Sequence, residues 1–375
     1  MRLTAILTPD QRVRYVVLDD EGCLVEPIAR YLKHLDQRGY ARNTLRSYGT
    51  SLQLYFEYLN QKGLDFRQIT IDDLAGCVQW LKLPSGNVKV LPSHPVVQAR
   101  TNRTINHTLT VIAGFYDYYW RRGDLETDIN TKTRTYLSPS ARRYKSMLHH
   151  LAADQPVAKN LLKQRESRSK PKTLTKAQIE TLIGACGNVR DRLLLTLLYE
   201  SGLRVGESLA LWLEDVDVAR YQLRVRDRGE LSNGAEIKTS AAERTIDVSP
   251  ELIYQIMDYA VIAHTEEIET NHVFLKMRGP RTGQPLEYAD VNDLFRRLQD
   301  KTGIDACAHL FRHTSFTHLA KAGWLPEHLR ERAGHANFQH TYQLYVHPSE
   351  EDLRDAWEQT QEQMKLGTSQ IGGKS

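Results

Sequence analysis

The sequence predicts a mainly α protein with a small antiparallel β-sheet. Three observations carry this. Apolar residues recur at three- and four-residue spacing in both halves of the chain. Turn-bounded β-type runs are confined to short stretches, chiefly 216–225 and 245–248. A basic, proline-punctuated stretch without periodicity separates the halves.

The elements follow in order. Val13, Tyr15 and Val17 alternate with Arg14 and Val16 and run into Asp19-Asp20-Glu21-Gly22, which predicts a short strand or hairpin as an extension over 1–23. Helical spacing starts after Val25 through Ile28, Leu32 and Leu35, and stops at Gly39. Asn43-Thr44 opens a second helix through Leu45, Tyr48, Leu52, Tyr55, Phe56 and Leu59, halted near Gly63. Thr70 with Asp73 three residues on marks the start of a helix over 74–81. Gly86 and Pro92 make 84–95 a loop, and residues 104–120 are helical again, with Ile105, Leu109, Ile112, Phe115 and Tyr119 on one side. Residues 24–122 therefore read as one helical bundle.

Residues 123–172 lack sustained periodicity and read as a basic linker region. Residues 159–176 hold seven cations against Glu166 alone, which fits either a solvated connection or a segment lying along phosphates. Beyond it, Thr175 caps a helix, and 190–199 is a strongly apolar helix closed by Gly202. Gly229 and Asn233-Gly234 mark turns between strands at 216–225 and 245–248. Helices are expected at 250–263, 288–301, 309–322, 326–333 and about 341–345. Leu353, Trp357 and Met364 share one face of a last helix within 351–375.

At 375 residues the chain has room for two or three domains. Its net charge of +4 neither requires nor excludes a polyanionic partner. No apolar run approaches the roughly 20 residues of a membrane span, and MRLTAILTPD is too short and polar for a signal peptide. The four cysteines, Cys23, Cys77, Cys186 and Cys307, are far apart, so neither a disulfide framework nor a thiolate metal site is expected, and a reducing cytoplasm fits.

Phosphate loops of the GxxxxGK[ST] type, GxGxxG after a strand, HExxH and clustered acids for a two-metal site are all missing. Chemistry on phosphates is thus expected to run with no cofactor and no metal. A cationic set is present: Arg204 in Gly202-Leu203-Arg204-Val205-Gly206-Glu207, His309 and Arg312 in His309-Leu310-Phe311-Arg312, and His335 in Ala333-Gly334-His335. Ten residues later comes Tyr345. His309 and Arg312, at i and i+3, share a helical face. Guanidinium forks pair with phosphate oxygens and stabilise charge that builds in the transition state, and a deprotonated Tyr hydroxyl is a nucleophile. Singly, each residue has a plainer reading: a salt-bridged Arg, a hydrogen-bonded core His309, a helix-capping His335, a core Tyr345. His309, His313 and His318 lack a well-placed third ligand, so no metal is assigned to them.

Together and in order, GLRVGE, HLFRH, AGH and the Tyr345 segment resemble the tyrosine site-specific recombinases, the phage-integrase-like enzymes that cut and rejoin DNA. The stretch from Arg38 to Leu59, RGYARNTLRSYGTSLQLYFEYL, resembles the entry of the family's core-binding domain. The resemblance implies a helical, SAM-like core-binding domain over 24–122 and a catalytic domain over 173–350. It implies that Arg204 and Arg312 clamp the scissile phosphate and that Tyr345 attacks it, leaving a 3′-phosphotyrosine. Tyr342 is the competing nucleophile. Tyr345 is preferred because Val346-His347 follows it, as is common in the family. By the same resemblance Lys238, on a longer hairpin than usual, protonates the 5′ leaving oxygen, His309 serves as base, and His335 donates to the phosphate. Glu207 either orients the Arg204 segment or is a helix-terminus charge.

The implied partners are double-stranded DNA with inverted-repeat core sites, three further copies of the chain in a tetramer on two sites, and accessory DNA-binding proteins. The last helix docks either on a neighbouring subunit or on its own domain. Arg42, Arg46, Arg100, Arg103, Arg121, Arg122, Lys170 and Lys172 are the expected phosphate contacts. The long hairpin and the first strand favour a mobile-element recombinase over a chromosome-dimer resolvase. The rivals are a type IB topoisomerase-like nicking-closing enzyme and a catalytically silent DNA-binding protein.

Overall fold

The structure is a computed structural model that describes residues 1–9, 12–83, 99–137, 157–166, 172–237, 243–334 and 354. The chain divides into two compact units, Met1–Ser169 and Lys170–Ser375.

The first unit opens with an antiparallel hairpin of β1 (Arg2–Leu7) and β2 (Val13–Leu18), in which Leu3 pairs with Val17. Its helices are α1 (Glu26–Gln37), α2 (Arg42–Lys62), α3 (Ile71–Lys82), α4 (Asn102–Arg121) and the short α5 (Ile129–Thr133). Local chemistry sets their ends. Thr70 and Asp73 form a reciprocal cap on α3: the Thr70 hydroxyl accepts from the Asp73 N–H at 3.2 Å, and the Asp73 carboxylate accepts from the Thr70 N–H at 2.9 Å. Gly63 ends α2 at φ 64°, a left-handed conformation that glycine adopts without steric penalty. Helix α4 begins two residues before its expected start, because Thr101 caps it by accepting from the Thr104 N–H.

Phe115 sits at the centre of this unit. It makes edge contacts with Tyr31 and Phe56 at ring-centroid distances of 5.6 and 5.7 Å, and a tilted contact with Tyr119 at 4.8 Å. Two strands, β3 (Arg134–Leu137) and β4 (Val157–Asn160), pair antiparallel inside the stretch expected to be linker. Just after them the chain is tied to α4. Asn106 donates to the Gln164 carbonyl at 2.9 Å and accepts from the Gln164 N–H at 2.8 Å, while Asn102 donates to the Arg165 carbonyl at 2.7 Å. A buried amide thereby satisfies backbone that lacked any periodic signal.

The second unit is built around α7 (Val189–Ser201), which follows α6 (Lys176–Gly184). Leu193, Leu194, Leu195, Leu197 and Leu198 are all buried, so α7 is covered over most of its circumference while Arg192 faces solvent, with α9 (Pro250–Ala263) and α11 (Ala308–Lys321) packed against it. The remaining helices are α8 (Val205–Leu209), α10 (Tyr288–Thr302) and α12 (Pro326–Ala333). Thr175, Ser249 and the Pro250 and Pro326 starts place these helices where the sequence puts them.

The sheet is antiparallel in the order β5 (Val216–Asp217), β6 (Gln222–Val225), β7 (Arg244–Asp247), with Leu223 between Val216 and Ile246. The single strand expected over 216–225 is thus two. Asp217 accepts from the Arg220 N–H, and Tyr221 takes a left-handed φ of 54°, which folds the run into a hairpin. The helices expected at 341–345 and within 351–375 lie outside the described residues, apart from a helical, exposed Arg354.

Candidate active site

Gly202 ends α7 at φ 66°, and a β-carbon there would lie 2.9 Å from the Phe316 ring. The chain then runs through the buried Leu203 into an extended Arg204, which precedes α8. Glu207 is the third residue of α8. Its carboxylate accepts from the Arg204 N–H at 2.9 Å and pairs with the Arg204 guanidinium at 2.6 Å. Both readings open for Glu207 hold: it is the carboxylate in the first turn of α8 and the partner of the Arg204 guanidinium. Gly206 is needed because a β-carbon would meet the Tyr288 hydroxyl at 2.2 Å and the Glu236 carbonyl at 3.1 Å.

Arg312 reaches the same place from α11. It donates to the Gly202 carbonyl at 2.5 Å and the Ala333 carbonyl at 2.7 Å, and lies 3.9 Å from Glu207. Its guanidinium also stacks over the Phe316 ring, 4.9 Å from the centroid. Arg204 in turn reaches the Gly334 carbonyl at 3.4 Å. Two arginines some hundred residues apart in sequence are therefore fixed to one buried carboxylate and to three main-chain carbonyls.

A third guanidinium completes the cluster, and sequence reasoning missed it. Arg244, the first residue of β7, makes two bonds to Glu207, at 2.9 and 3.2 Å, and donates to the Arg332 carbonyl at 2.8 Å. As a lone strand arginine beside an unremarkable Glu243, it carried no spacing signal. Burial raises the affinity of the Glu207 carboxyl for its proton. The hydrogen bonds and charge of Arg244, then the charges of Arg204 and Arg312, outweigh it and hold the group below the ordinary carboxylate range. One carboxylate among three guanidiniums leaves a net cationic site. Arg204 is its accessible member, with 29% of its side chain exposed against 3% for Arg312 and 7% for Arg244.

His309 lies one turn before Arg312 on α11 and is exposed. Lys238, His335, Tyr345 and the alternative Tyr342 lie outside the described residues; Gly334, directly before His335, closes α12 in a left-handed conformation of φ 60°. His318 is bonded to the Tyr199 hydroxyl at 2.9 Å, and His313 is buried. Among the described residues no group of three His, Cys, Asp or Glu side chains is placed to hold a metal.

The expected phosphate contacts of the first unit separate into two sets. Ser47 on α2 bonds His107 on α4 at 2.8 Å, and Tyr55 bonds Tyr116 at 2.5 Å, so the two helices run in the same direction. Arg42, Arg46 and Arg103 lie at the starting ends of these helices. Arg121 and Arg122 lie at the far end of α4, about 27 Å away at 1.5 Å per residue. Arg121 pairs with Asp117 and Arg122 with Asp124, while Arg100 donates to the Leu81 carbonyl and stacks on Trp80. Lys172 is exposed, and Lys170 lies outside the described residues.

Residues 172–352 match the Phage integrase family, and residues 28–123 match the phage integrase N-terminal SAM-like domain. Transposase A from transposon Tn554 of Staphylococcus aureus is 36% identical over 342 residues, which cover 91% of this chain and 92% of the relative. The tyrosine recombinase XerD of Mycobacterium tuberculosis is 24% identical, covering 87% of this chain and 94% of its own. A solved structure of the Tn1549 transposon integrase in complex with transposon right-end DNA has the same fold. Its TM-score is 0.61 at 19% identity, over 89% of this chain and 99% of that one. With its arginine cluster and the relationship to the Tn554 transposase along nearly its whole length, the chain belongs to the phage integrase family of tyrosine recombinases.

Proposed function

We propose that this protein cuts and rejoins DNA at the ends of a mobile element, through a 3′-phosphotyrosine intermediate. The observation that carries the reading is the guanidinium cluster: Arg204 and Arg312 are held before DNA arrives, by acceptors that cannot rotate away. Fixed donors stabilise a phosphorane-like transition state without reorganising at the moment of reaction. The similarity of nearly the whole chain to a transposon transposase supports the mobile-element role.

In this reading a non-bridging oxygen of the scissile phosphate meets Arg204 from solvent, with Arg312 behind it. The Tyr345 hydroxyl loses its proton towards His309, and its oxygen bonds to phosphorus. The bond to the 5′ oxygen breaks, and Lys238 supplies the proton that makes the leaving group a 5′-hydroxyl. His335, next to the Gly334 carbonyl that holds Arg204, donates to the phosphate. The tyrosyl phosphodiester conserves the energy of the broken bond, so a 5′-hydroxyl from the other duplex reseals it. Two such exchanges pass through a Holliday junction. Four protomers on two sites are the assembly this requires. Arg42, Arg46 and Arg103 form the backbone-contacting set at one end of the SAM-like bundle, with Arg100, Arg121, Arg122, Lys170 and Lys172 as further contacts, and inverted-repeat core sites as the substrate.

The test is a duplex carrying the DNA that flanks the gene, nicked beside the candidate cleavage point so that the covalent product is trapped. The wild-type chain gives a protein–DNA adduct and Tyr345→Phe gives none. An undiminished adduct from Tyr345→Phe, with loss from Tyr342→Phe, would transfer the nucleophile to Tyr342.

A further inference from the structure

We propose that Arg244 is a positioning residue for DNA cleavage: it clamps Glu207 to the end of α12 and, through that carboxylate, fixes the direction of Arg204. The inference rests on the reading that Arg204 receives the scissile phosphate.

Three contacts carry it. Arg244 bonds both carboxylate oxygens of Glu207, Oε2 from Nη2 at 2.9 Å and Oε1 from Nη1 at 3.2 Å. Its Nε donates to the Arg332 carbonyl at 2.8 Å, in the last turn of α12. It also lies flat against Gly334, where a β-carbon would stand 2.7 Å from Nη1 and 3.1 Å from the guanidinium carbon. Arg244 therefore touches two of the segments that bear the family's motifs, GLRVGE and AGH, while its own strand follows the connection that carries Lys238. Each of its three nitrogens is engaged inside the protein, by Glu207 or by the Arg332 carbonyl. Its role passes through Glu207, which binds both the backbone and the guanidinium of Arg204.

The charges around Glu207 make this measurable. It faces Arg204 at the start of α8, Arg244 on β7, Arg312 on α11 and the neutral Tyr288 phenol on α10. Burial favours the protonated carboxyl, and Arg244 is the strongest influence opposing it. Without Arg244, Glu207 takes up a proton at higher pH than in the wild type. A protonated Glu207 no longer holds Arg204 by charge, so cleavage by Arg244→Gln should rise with pH as the carboxyl ionises.

The experiment measures adduct formation on the nicked duplex from about pH 4 to about pH 8 for the wild type, Arg244→Gln, Arg244→Lys and Glu207→Gln. Arg244→Gln should fall progressively behind the wild type as pH drops, by up to about tenfold per unit of displaced titration, and approach it as pH rises. Arg244→Lys, which keeps the charge, should follow the wild-type pH profile. In a Glu207→Gln background, removing Arg244 should add no pH dependence. A constant ratio of Arg244→Gln to wild type across pH, or the same dependence without Glu207, overturns the proposal.

A second arm needs no DNA. The wild-type carboxyl is depressed, so its stabilising contribution is present above the ordinary carboxylate range and lost as pH falls through it; in Arg244→Gln the carboxyl is less depressed and contributes less. The melting-temperature gap between the two proteins should therefore widen as pH rises, and a flat gap refutes the coupling. Absence of any wild-type adduct would sink the cleavage reading, while this arm still decides the Arg244–Glu207 link.

Discussion

The interior of the first unit mixes many aromatic rings with aliphatic side chains and, among the described residues, no charge, whereas that of the second is more purely aliphatic and encloses charge. Tyr31, Tyr55, Phe56, Phe66, Phe115, Tyr116 and Tyr119 fill the first, and its buried polar residues among those described, Ser51, Asn106, Thr108 and Asn130, carry no charge. The second packs leucines around α7 yet also buries Asp191, Glu207, Asp215, Lys276 and Arg312. Buried charge is costly unless paired, and the second unit supplies a partner for each of these groups. Asp191, Asp215 and Lys276 are paired elsewhere in the unit, while Glu207 and Arg312 meet beside Gly202, at the arginine cluster.

The comparison predicts that large core truncations act differently in the two units. Phe115→Ala should destabilise the first unit by about 3–5 kcal/mol, the usual cost of emptying an aromatic site, while molecules that remain folded cleave DNA at the wild-type rate. Phe316→Leu, under the Arg312 guanidinium, should cost less stability and lose cleavage first. Chemical denaturation and single-turnover cleavage of the same samples separate the two effects, and equal losses in both assays for both variants would erase the distinction.

Glycines sharpen it at a smaller scale. Gly63 and Gly334 share nearly the same φ, 64° and 60°, but only Gly334 is crowded, by Arg244. Gly63→Ala should cost about 1 kcal/mol from its left-handed backbone alone, with cleavage unchanged. Gly334→Ala should cost more and reduce cleavage about tenfold or more, the expectation for a small displacement of positioned donors. Matching stability losses and activities would show that the end of α12 is ordinary structure.

Acid should discriminate the units most gently. Burial, then the charges of Arg228 and His264, lower His272 in the second unit to about 4. A histidine held neutral in the fold but protonated when unfolded contributes stability that is lost as pH falls from about 6.5 towards that value. Below it, Glu207 adds its own loss as its depressed carboxyl is protonated. Amide exchange followed from about pH 7 to about pH 4 should show the second unit opening first, and His272→Gln should delay it.

Much of this was legible in the sequence because helix ends are local events. Thr70 with Asp73, Thr175 as a cap and the glycines at 202 and 334 each act within a few residues. The hairpin at 218–221 was not legible, since it rests on a tyrosine in a conformation that turn composition assigns to glycine or asparagine. Nor were the ties from Asn102 and Asn106 to residues 164 and 165, which are tertiary. At the site, the order of motifs picked out Arg204 and Arg312, and one reading of Glu207 tied it to Arg204, but the third arginine, Arg244, emerges only when β7 and α8 are brought together.

The acceptors that steady Arg312 and reach Arg204 include the carbonyls of Gly202, Ala333 and Gly334, which belong to the main chain. A carbonyl is supplied by every amino acid, so no substitution can delete it; only a change in the path of the backbone can. That part of the site is therefore insulated from drift in most of the side chains around it, and its inheritance depends on the few glycines that set the path, with Glu207 and Arg244 as the side chains that cannot be exchanged.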